Sequence, residues 1–122
     1  MIDFKNGSLI KLSKTNKTPH DLSALLIDNE EIIGTYAGLR DYVTFTTKRI
    51  IAVNVQKLTG KKKDYTSLPY SKIQAFSVET AGTFDLDSEL ELYFSSLGKI
   101  KFEFSGTTDI VAIGKIISQY IL

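Results

Sequence analysis

RDYVTFTTKRIIAVNVQ, residues Arg40 to Gln56, is the clearest structural signal in the chain. On both sides of Thr47, Lys48 and Arg49, apolar residues recur at every second position, as they do in β-strands with a buried face. Both arms are rich in β-branched and aromatic residues, which favour strands over helix interiors. The stretch therefore predicts a β-hairpin. An isolated hairpin is marginal in water, so the rest of the chain has to cover its apolar face.

Five further strands are predicted by the same two-residue period, over residues 31–36, 65–68, 73–79, 84–94 and 99–104. The first is expected to carry a bulge at Gly34. The fourth alternates most regularly, with an apolar face and an acidic face. The apolar positions are Phe84, Leu86, Ser88, Leu90, Leu92 and Phe94, and the acidic ones are Asp85, Asp87, Glu89 and Glu91. In an antiparallel hairpin, Lys99 and Lys101 would face that acidic row.

Two helices and one irregular segment complete the prediction. Residues 1–17 sustain no period and are expected to form a mostly irregular arm, with a single domain over residues 18–122. Thr18 as cap and Pro19 as first residue predict a helix of about two turns. From Asp109 to about Ile121, apolar residues at helical spacing predict a C-terminal amphipathic helix that covers an open end of the sheet.

Composition excludes several classes of function. Fifteen Lys and Arg against fourteen Asp and Glu give a formal charge of +1, so no field steers the protein to nucleic acid. The absence of cysteine excludes disulfides, thiolate zinc sites and cysteine nucleophiles. The sequence has no signal-peptide pattern, and none of its apolar runs approaches the roughly 20 residues that a membrane span needs. We therefore expect a cytoplasmic protein.

Four segments carry a resemblance to a known family: RDYVTFTTKRII, TGKK, SLPYSKI and FSVETAGTFDLDSELEL. They resemble successive motifs of the bacterial PH-like domain family, formerly a domain of unknown function, from about Leu25 to the C-terminus. Seven strands followed by one helix is also the plan of that fold. We therefore expect a mainly β protein with α-helix: a pleckstrin-homology-like barrel of about seven antiparallel strands in two bent sheets, capped by the C-terminal amphipathic helix. The resemblance also implies ring-forming oligomers.

The loop 57–63 is the candidate site for an anionic partner, a phosphate or a lipid surface. Its candidate ligand-binding residues are Lys57, Lys61, Lys62 and Lys63. Eukaryotic PH domains that hold phosphoinositides use basic residues around their first two strands, where this chain offers only Arg40. Lysines on exposed loops more commonly serve solubility. Membrane contact is possible through this loop, but no other feature of the sequence supports it.

The acidic row Asp85, Asp87, Glu89 and Glu91 is the candidate oligomer interface. A divalent-ion site is the weaker interpretation, because alternate residues on one strand face lie nearly 7 Å apart, whereas ligands converge on hard cations at about 2.0–2.6 Å. No metal ion or cofactor is expected.

Arg40, Asp41, Arg49 and Glu79 are predicted to form structural ion pairs that fix the hairpin register, with Glu79 pairing with Arg49 or Arg40. His20, the single histidine, has no neighbour in sequence that would make it catalytic. Catalytic triads, two-histidine metal sites, Walker loops and GxGxxG turns are all absent. No catalytic residue is predicted, and an enzyme of unfamiliar type would need a deep pocket with a perturbed titratable group.

The leading hypothesis is a non-enzymatic PH-like interaction module that acts by protein contact. Open barrels expose strand edges, and the acidic row could meet the basic loop of a neighbouring copy. Such head-to-tail contacts close into rings when the rotation permits, and the resemblance implies the same. A ring-like homo-oligomer is therefore predicted, with another protein as a further possible partner. The alternative is binding of an anionic lipid or phosphate ligand through the loop 57–63.

Overall fold

The computed structural model describes residues 1, 2, 4, 9–55 and 62–122. Within them, alternating and β-branched segments form eight strands, and the apolar C-terminal stripe forms a helix. The strands are β1 (Leu9–Thr15), β2 (Ile32–Ala37), β3 (Tyr42–Thr46), β4 (Arg49–Val55), β5 (Lys63–Pro69), β6 (Ala75–Glu79), β7 (Ser88–Phe94) and β8 (Gly98–Phe104); the helices are α1 (His20–Ser23), a 3₁₀ helix (Tyr70–Lys72) and α2 (Ile110–Ile121).

The described strands form one continuous, open sheet in the order β5-β4-β3-β2-β1-β8-β7-β6. Every neighbouring pair is antiparallel except β1 and β8, which are parallel. The prediction of about seven strands in two bent sheets was therefore wrong on both counts. Strands β2 to β8 are the seven that were expected, and β1 is an eighth. Because β1 is hydrogen-bonded to β2 on one side and to β8 on the other, it joins the two halves into one sheet.

Strand β1 lies in the segment that was expected to be mostly irregular, and a bulge explains the difference. Leu9 and Leu12 are both buried although they lie three residues apart, which does not match a strand period of two. Between them, Lys11 has a φ of 52°, and the register with β8 shifts at the same place. The extra residue of the bulge brings Leu12 back to the core-facing side. The expected bulge at Gly34 is confirmed by a register shift between β2 and β3.

The main core lies between the inner face of the sheet and helix α2. Ile110, Ile113 and Ile117 form the buried stripe of the helix, and Asp109 caps it, accepting a hydrogen bond from the backbone N–H of Ala112 at 3.1 Å. The helix packs against β6, β7 and the 3₁₀ helix that connects the two edge strands. The predicted C-terminal amphipathic helix that covers the sheet is thus confirmed.

A second, smaller core covers the opposite face of the central hairpin. It consists of Leu22, Tyr42, Ile51 and Val53, so the hairpin is buried on both faces and not on one. The helix that supplies Leu22 is shorter than predicted. Pro19, with a ψ of 136°, is still extended and serves as the N-cap in place of Thr18, and the helix ends at Ser23.

We predict that the backbone at Lys11 limits which residues the bulge accepts. A left-handed conformation costs an L-residue about 1–2 kcal/mol, and more for a β-branched side chain. Lys11→Val should therefore lower the free energy of unfolding by about 1–2 kcal/mol relative to Lys11→Gly, although valine favours strands in general. Urea denaturation of both variants measures the difference.

Lys14→Val is the matched control, because Lys14 is exposed in the same strand and has no positive φ. We expect its midpoint to stay within the small range typical of surface substitutions. Equal stability of Lys11→Val and Lys11→Gly would contradict the bulge geometry.

Candidate functional site

The acidic face of β7 is partly neutralised by the next strand. The Lys101 ammonium lies 3.1 Å from the Glu89 carboxylate, and Lys99 lies 3.9 Å from Glu91. The expectation that the two lysines face the acidic row is confirmed. The hydrogen bond to Glu89 raises the pKa of Lys101. Glu89 is therefore hydrogen-bonded within its own chain, whereas Glu91 only lies near the Lys99 ammonium.

Asp85 and Asp87 lie outside the strand, and this corrects the predicted strand 84–94. Strand β7 begins at Ser88, which is opposite the last residue of β8. Residues 84–87 extend beyond both neighbouring strands and have no core beneath them. Phe84 is consequently 99% exposed and Leu86 63% exposed, although both were assigned to the buried face.

The connection between β6 and β7, residues 80–87, is referred to here as the hairpin tip, and its own contacts order it. The N–H of Gly82 donates to the carbonyl of Asp85 at 2.7 Å, and the N–H of Asp87 donates to the Asp85 carboxylate at 3.1 Å. At Gly106 a Cβ would lie 2.8 Å from the Leu86 carbonyl oxygen, so only glycine permits this approach. The tip thus presents Phe84 on a structured loop.

The hairpin tip also carries an excess of negative charge. Burial raises the pKa of Glu103 on the adjacent strand β8, and the neighbouring carboxylate of Asp87 raises it further. Asp85 is exposed and Asp87 partly exposed. No group of three or more potential metal ligands occurs among the residues that the structure describes.

The structure describes only half of the predicted basic site. Lys57 and Lys61 lie outside the described residues. Lys62 is exposed, whereas the Lys63 ammonium donates to the Asp21 carboxylate at 2.8 Å. The hydrogen bonds from Lys63 and Tyr65 lower the pKa of Asp21 to about 2. Lys63 is thus held by its own chain.

Arg49 pairs with Glu30, so the predicted pair between Arg49 and Glu79 was wrong. The guanidinium donates to both oxygens of Glu30, at 2.9 and 3.0 Å. Its remaining donors reach the Ser67 hydroxyl and the Leu25 carbonyl. The Glu30 side chain is buried, and Arg49 ties the chain before β2 to strands β4 and β5.

Asp41 has an amide partner, because it accepts a hydrogen bond from Asn54 at 2.7 Å. That contact links the start of β3 to β4, and an ion pair of Asp41 stays a prediction. A pair between Arg40 and Glu79 stays a prediction.

The comparison with known families decides what kind of domain this is. The profile of the bacterial PH domain family matches residues 3–121. The chain belongs to this family. The resemblance seen in the sequence is thereby confirmed, with eight strands in one sheet as the form that the fold takes here.

Two bacterial relatives and two solved structures illustrate the family. The uncharacterized protein YjqA of Bacillus subtilis (strain 168) is 39% identical over 119 residues, which cover 96% of this chain and 94% of YjqA. The uncharacterized protein YozO of the same strain is 35% identical over 100 residues, covering 82% and 86%. The crystal structure of a DUF1696 family protein with a pleckstrin-homology domain from Shewanella loihica PV-4 has a TM-score of 0.81, with 39% identity over 93% of this chain and 99% of that chain. A pleckstrin homology domain from Shewanella amazonensis SB2B has a TM-score of 0.65, with 47% identity over 84% and 83%.

The length and hydropathy of the helices decide whether any of them could cross a membrane. None of the helices in the described part of the chain has the length and hydropathy that a bilayer span requires. In the connection between β2 and β3, where the sequence offers Arg40 as its one basic residue, Leu39 and Arg40 are exposed.

Three residues that the structure brings forward were not predicted as site residues from the sequence: Phe84, Leu86 and Glu30. A signal for the first two was present, because a strand over 84–94 is far longer than the opposing strand over 99–104 and its first residues could not have been paired. For Glu30 no comparable signal exists, since its partner Arg49 lies nineteen residues later along the chain.

The pair between Glu30 and Arg49 predicts an acid-sensitive contribution to stability. Burial alone would raise the pKa of Glu30, but hydrogen bonds from Arg49 and Thr46 outweigh it and hold the pKa at about 2, below the ordinary value of 4.5. At about 1.4 kcal/mol per pH unit, this is roughly 3 kcal/mol of stability. It is fully present above pH 4.5 and is lost as the pH falls towards 2.

We expect Glu30→Gln to lower the free energy of unfolding at pH 7 and to lose this difference from the wild type as the pH falls from 4.5 towards 2. Urea titrations at several pH values measure it. Asp28→Asn, at a neighbouring exposed position, should keep the wild-type profile. A difference between Glu30→Gln and the wild type that does not change with pH would contradict the role of the pair.

Proposed function

We propose that this bacterial PH domain is a non-enzymatic interaction module that assembles with copies of itself into a ring-like homo-oligomer. The observation that carries the proposal is the hairpin tip, where the fully exposed Phe84 stands beside Leu86 and two aspartates. Exposed aromatic residues rimmed by charge are typical of protein contact sites. The tip is ordered by its own hydrogen bonds, which reduces the entropy lost on binding.

The arrangement favours a contact between unlike surfaces of two copies. The tip is acidic through Asp85 and Asp87, while the net charge of the chain is only +1, so cationic surface must lie elsewhere on the same molecule. The basic loop 57–63 was the surface expected to meet the acidic row Asp85, Asp87, Glu89 and Glu91 of a neighbouring copy, and its described lysines, Lys62 and Lys63, are both exposed. Head-to-tail contacts between unlike surfaces close into rings when the rotation permits.

Light scattering tests the assembly. We expect the purified wild type to form a discrete multimer at tens of micromolar that dissociates as salt rises, because salt screens charged contacts between exposed groups. Asp85→Lys/Asp87→Lys should shift the mass towards the monomer at low salt. Asp28→Lys/Glu31→Lys makes the same charge change of +4 at two exposed positions and should leave the multimer intact.

A wild type that stays monomeric at tens of micromolar would contradict the proposed assembly. A multimer that Asp85→Lys/Asp87→Lys leaves unchanged would contradict the assignment of the contact to the hairpin tip.

The alternative is recognition of an anionic lipid or phosphate by Lys57, Lys61, Lys62 and Lys63. It rests on four lysines within seven residues, of which Lys62, just before β5, and Lys63, its first residue, are exposed. Co-sedimentation with vesicles of anionic and of neutral lipid tests it. Binding to anionic vesicles that disappears when all four lysines are replaced by serine would support this function, and binding that persists would exclude it. The cytoplasmic location stays a prediction.

A further inference from the structure

A shallow groove lies on the outer face of the β6–β7 hairpin, at the end opposite the tip. It has a volume of about 190 Å³. The small residues Ala75 and Ser77 of the edge strand line it, together with Tyr93, Lys99, Phe76, Glu91 and Leu92. Ala75 is opposite Tyr93 in the register of the hairpin, and Ser77 is opposite Glu91.

The size of the groove suits one aromatic side chain. Pockets for small molecules and cofactors usually measure roughly 300–1,000 Å³, which is larger than this groove. A cavity of about 150 Å³ in a protein is enough to bind benzene. A phenyl ring is therefore a better match than a cofactor or a drug-sized ligand.

Phe84 is an exposed phenyl ring of this chain, but it does not reach the groove of its own subunit. Its side chain is 99% exposed. Ser77 is three residues from the start of the tip, which at about 3.3 Å per residue is roughly 10 Å along the strand. The groove and Phe84 lie at opposite ends of the hairpin. A ring in the groove therefore has to come from a second copy.

Charge at the rim fits the residue that follows Phe84. Lys99 lies 3.9 Å from Glu91, beyond hydrogen-bonding distance, so its ammonium can donate to another carboxylate. Asp85 is exposed next to Phe84. A tip that places Phe84 in the groove would bring Asp85 towards Lys99.

We propose that Phe84 of one copy inserts into the groove formed by Ala75, Ser77 and Tyr93 of a second copy, with Asp85 against Lys99. The inference rests on the self-assembly proposed above and specifies the contact between two copies. In this contact the groove, and not the loop 57–63, receives the hairpin tip. Each subunit carries one tip and one groove at opposite ends of the same hairpin. Every copy therefore gives one contact and receives one, which is the condition for a ring or an open chain.

Two single variants and their mixture test the contact. Phe84→Ala removes the ring and keeps the groove, while Ser77→Phe fills the groove and keeps the ring. Both positions are exposed, so both variants should fold, which circular dichroism checks. Each variant alone should be a monomer in light scattering under conditions where the wild type is a multimer. Leu39→Ala, which removes an equally exposed apolar side chain on another loop, should keep the wild-type mass.

The equimolar mixture should give a heterodimer with twice the subunit mass of 13.6 kDa. Phe84 of the Ser77→Phe subunit enters the open groove of the Phe84→Ala subunit, and neither subunit has a complementary surface left for growth. A multimeric wild type with a multimeric Phe84→Ala variant, or a mixture that stays monomeric, would overturn this contact alone. A monomeric wild type would overturn both the contact and the proposed assembly.

Discussion

Strand β1 joins the two halves of the sheet, and the positions of the other elements depend on it. It is hydrogen-bonded antiparallel to β2 and parallel to β8. Without it, both of these strands would have an unpaired side in the middle of the fold. Leu9 and Leu12 fix it in the core, and the positive φ of Lys11 allows both to point inward. The β6–β7 hairpin forms the end of the sheet beyond β8, so its position depends on the pairing of β1 with β8.

The hairpin combines a surface that packs in the core with the surface proposed for self-assembly. Its inner face belongs to the main core, with Val78 close enough to helix α2 that a Cβ on Gly114 would lie 3.2 Å from it. Its tip and its outer groove, by contrast, show features that a stable monomer does not need: an exposed ring on an ordered loop, and an edge strand with small side chains. Departures from local consistency of this kind are typical of functional sites.

Much of the fold could be predicted because alternation marks strands that are buried on one face. Strands β2 to β8 alternate in this way, and helix α2 carries apolar residues at helical spacing. Strand β1 could not be predicted, since the bulge at Lys11 breaks the two-residue period. Phe84 and Leu86 continue the period of β7, so alternation assigned them to the core, and only the length of the opposing strand indicates that they lie beyond it. The pairing of Glu30 with Arg49 depends on tertiary contacts that no local pattern encodes.

The central claim is that Phe84 becomes buried when copies of the chain associate. The sequence contains no tryptophan, so Phe84→Trp introduces a single indole whose fluorescence reports on its surroundings. We predict that the emission moves to shorter wavelengths as the protein concentration rises through the range of assembly, because the indole leaves water for the groove. An emission that stays at the wavelength of a solvated indole, at concentrations where light scattering finds a multimer, would contradict the account.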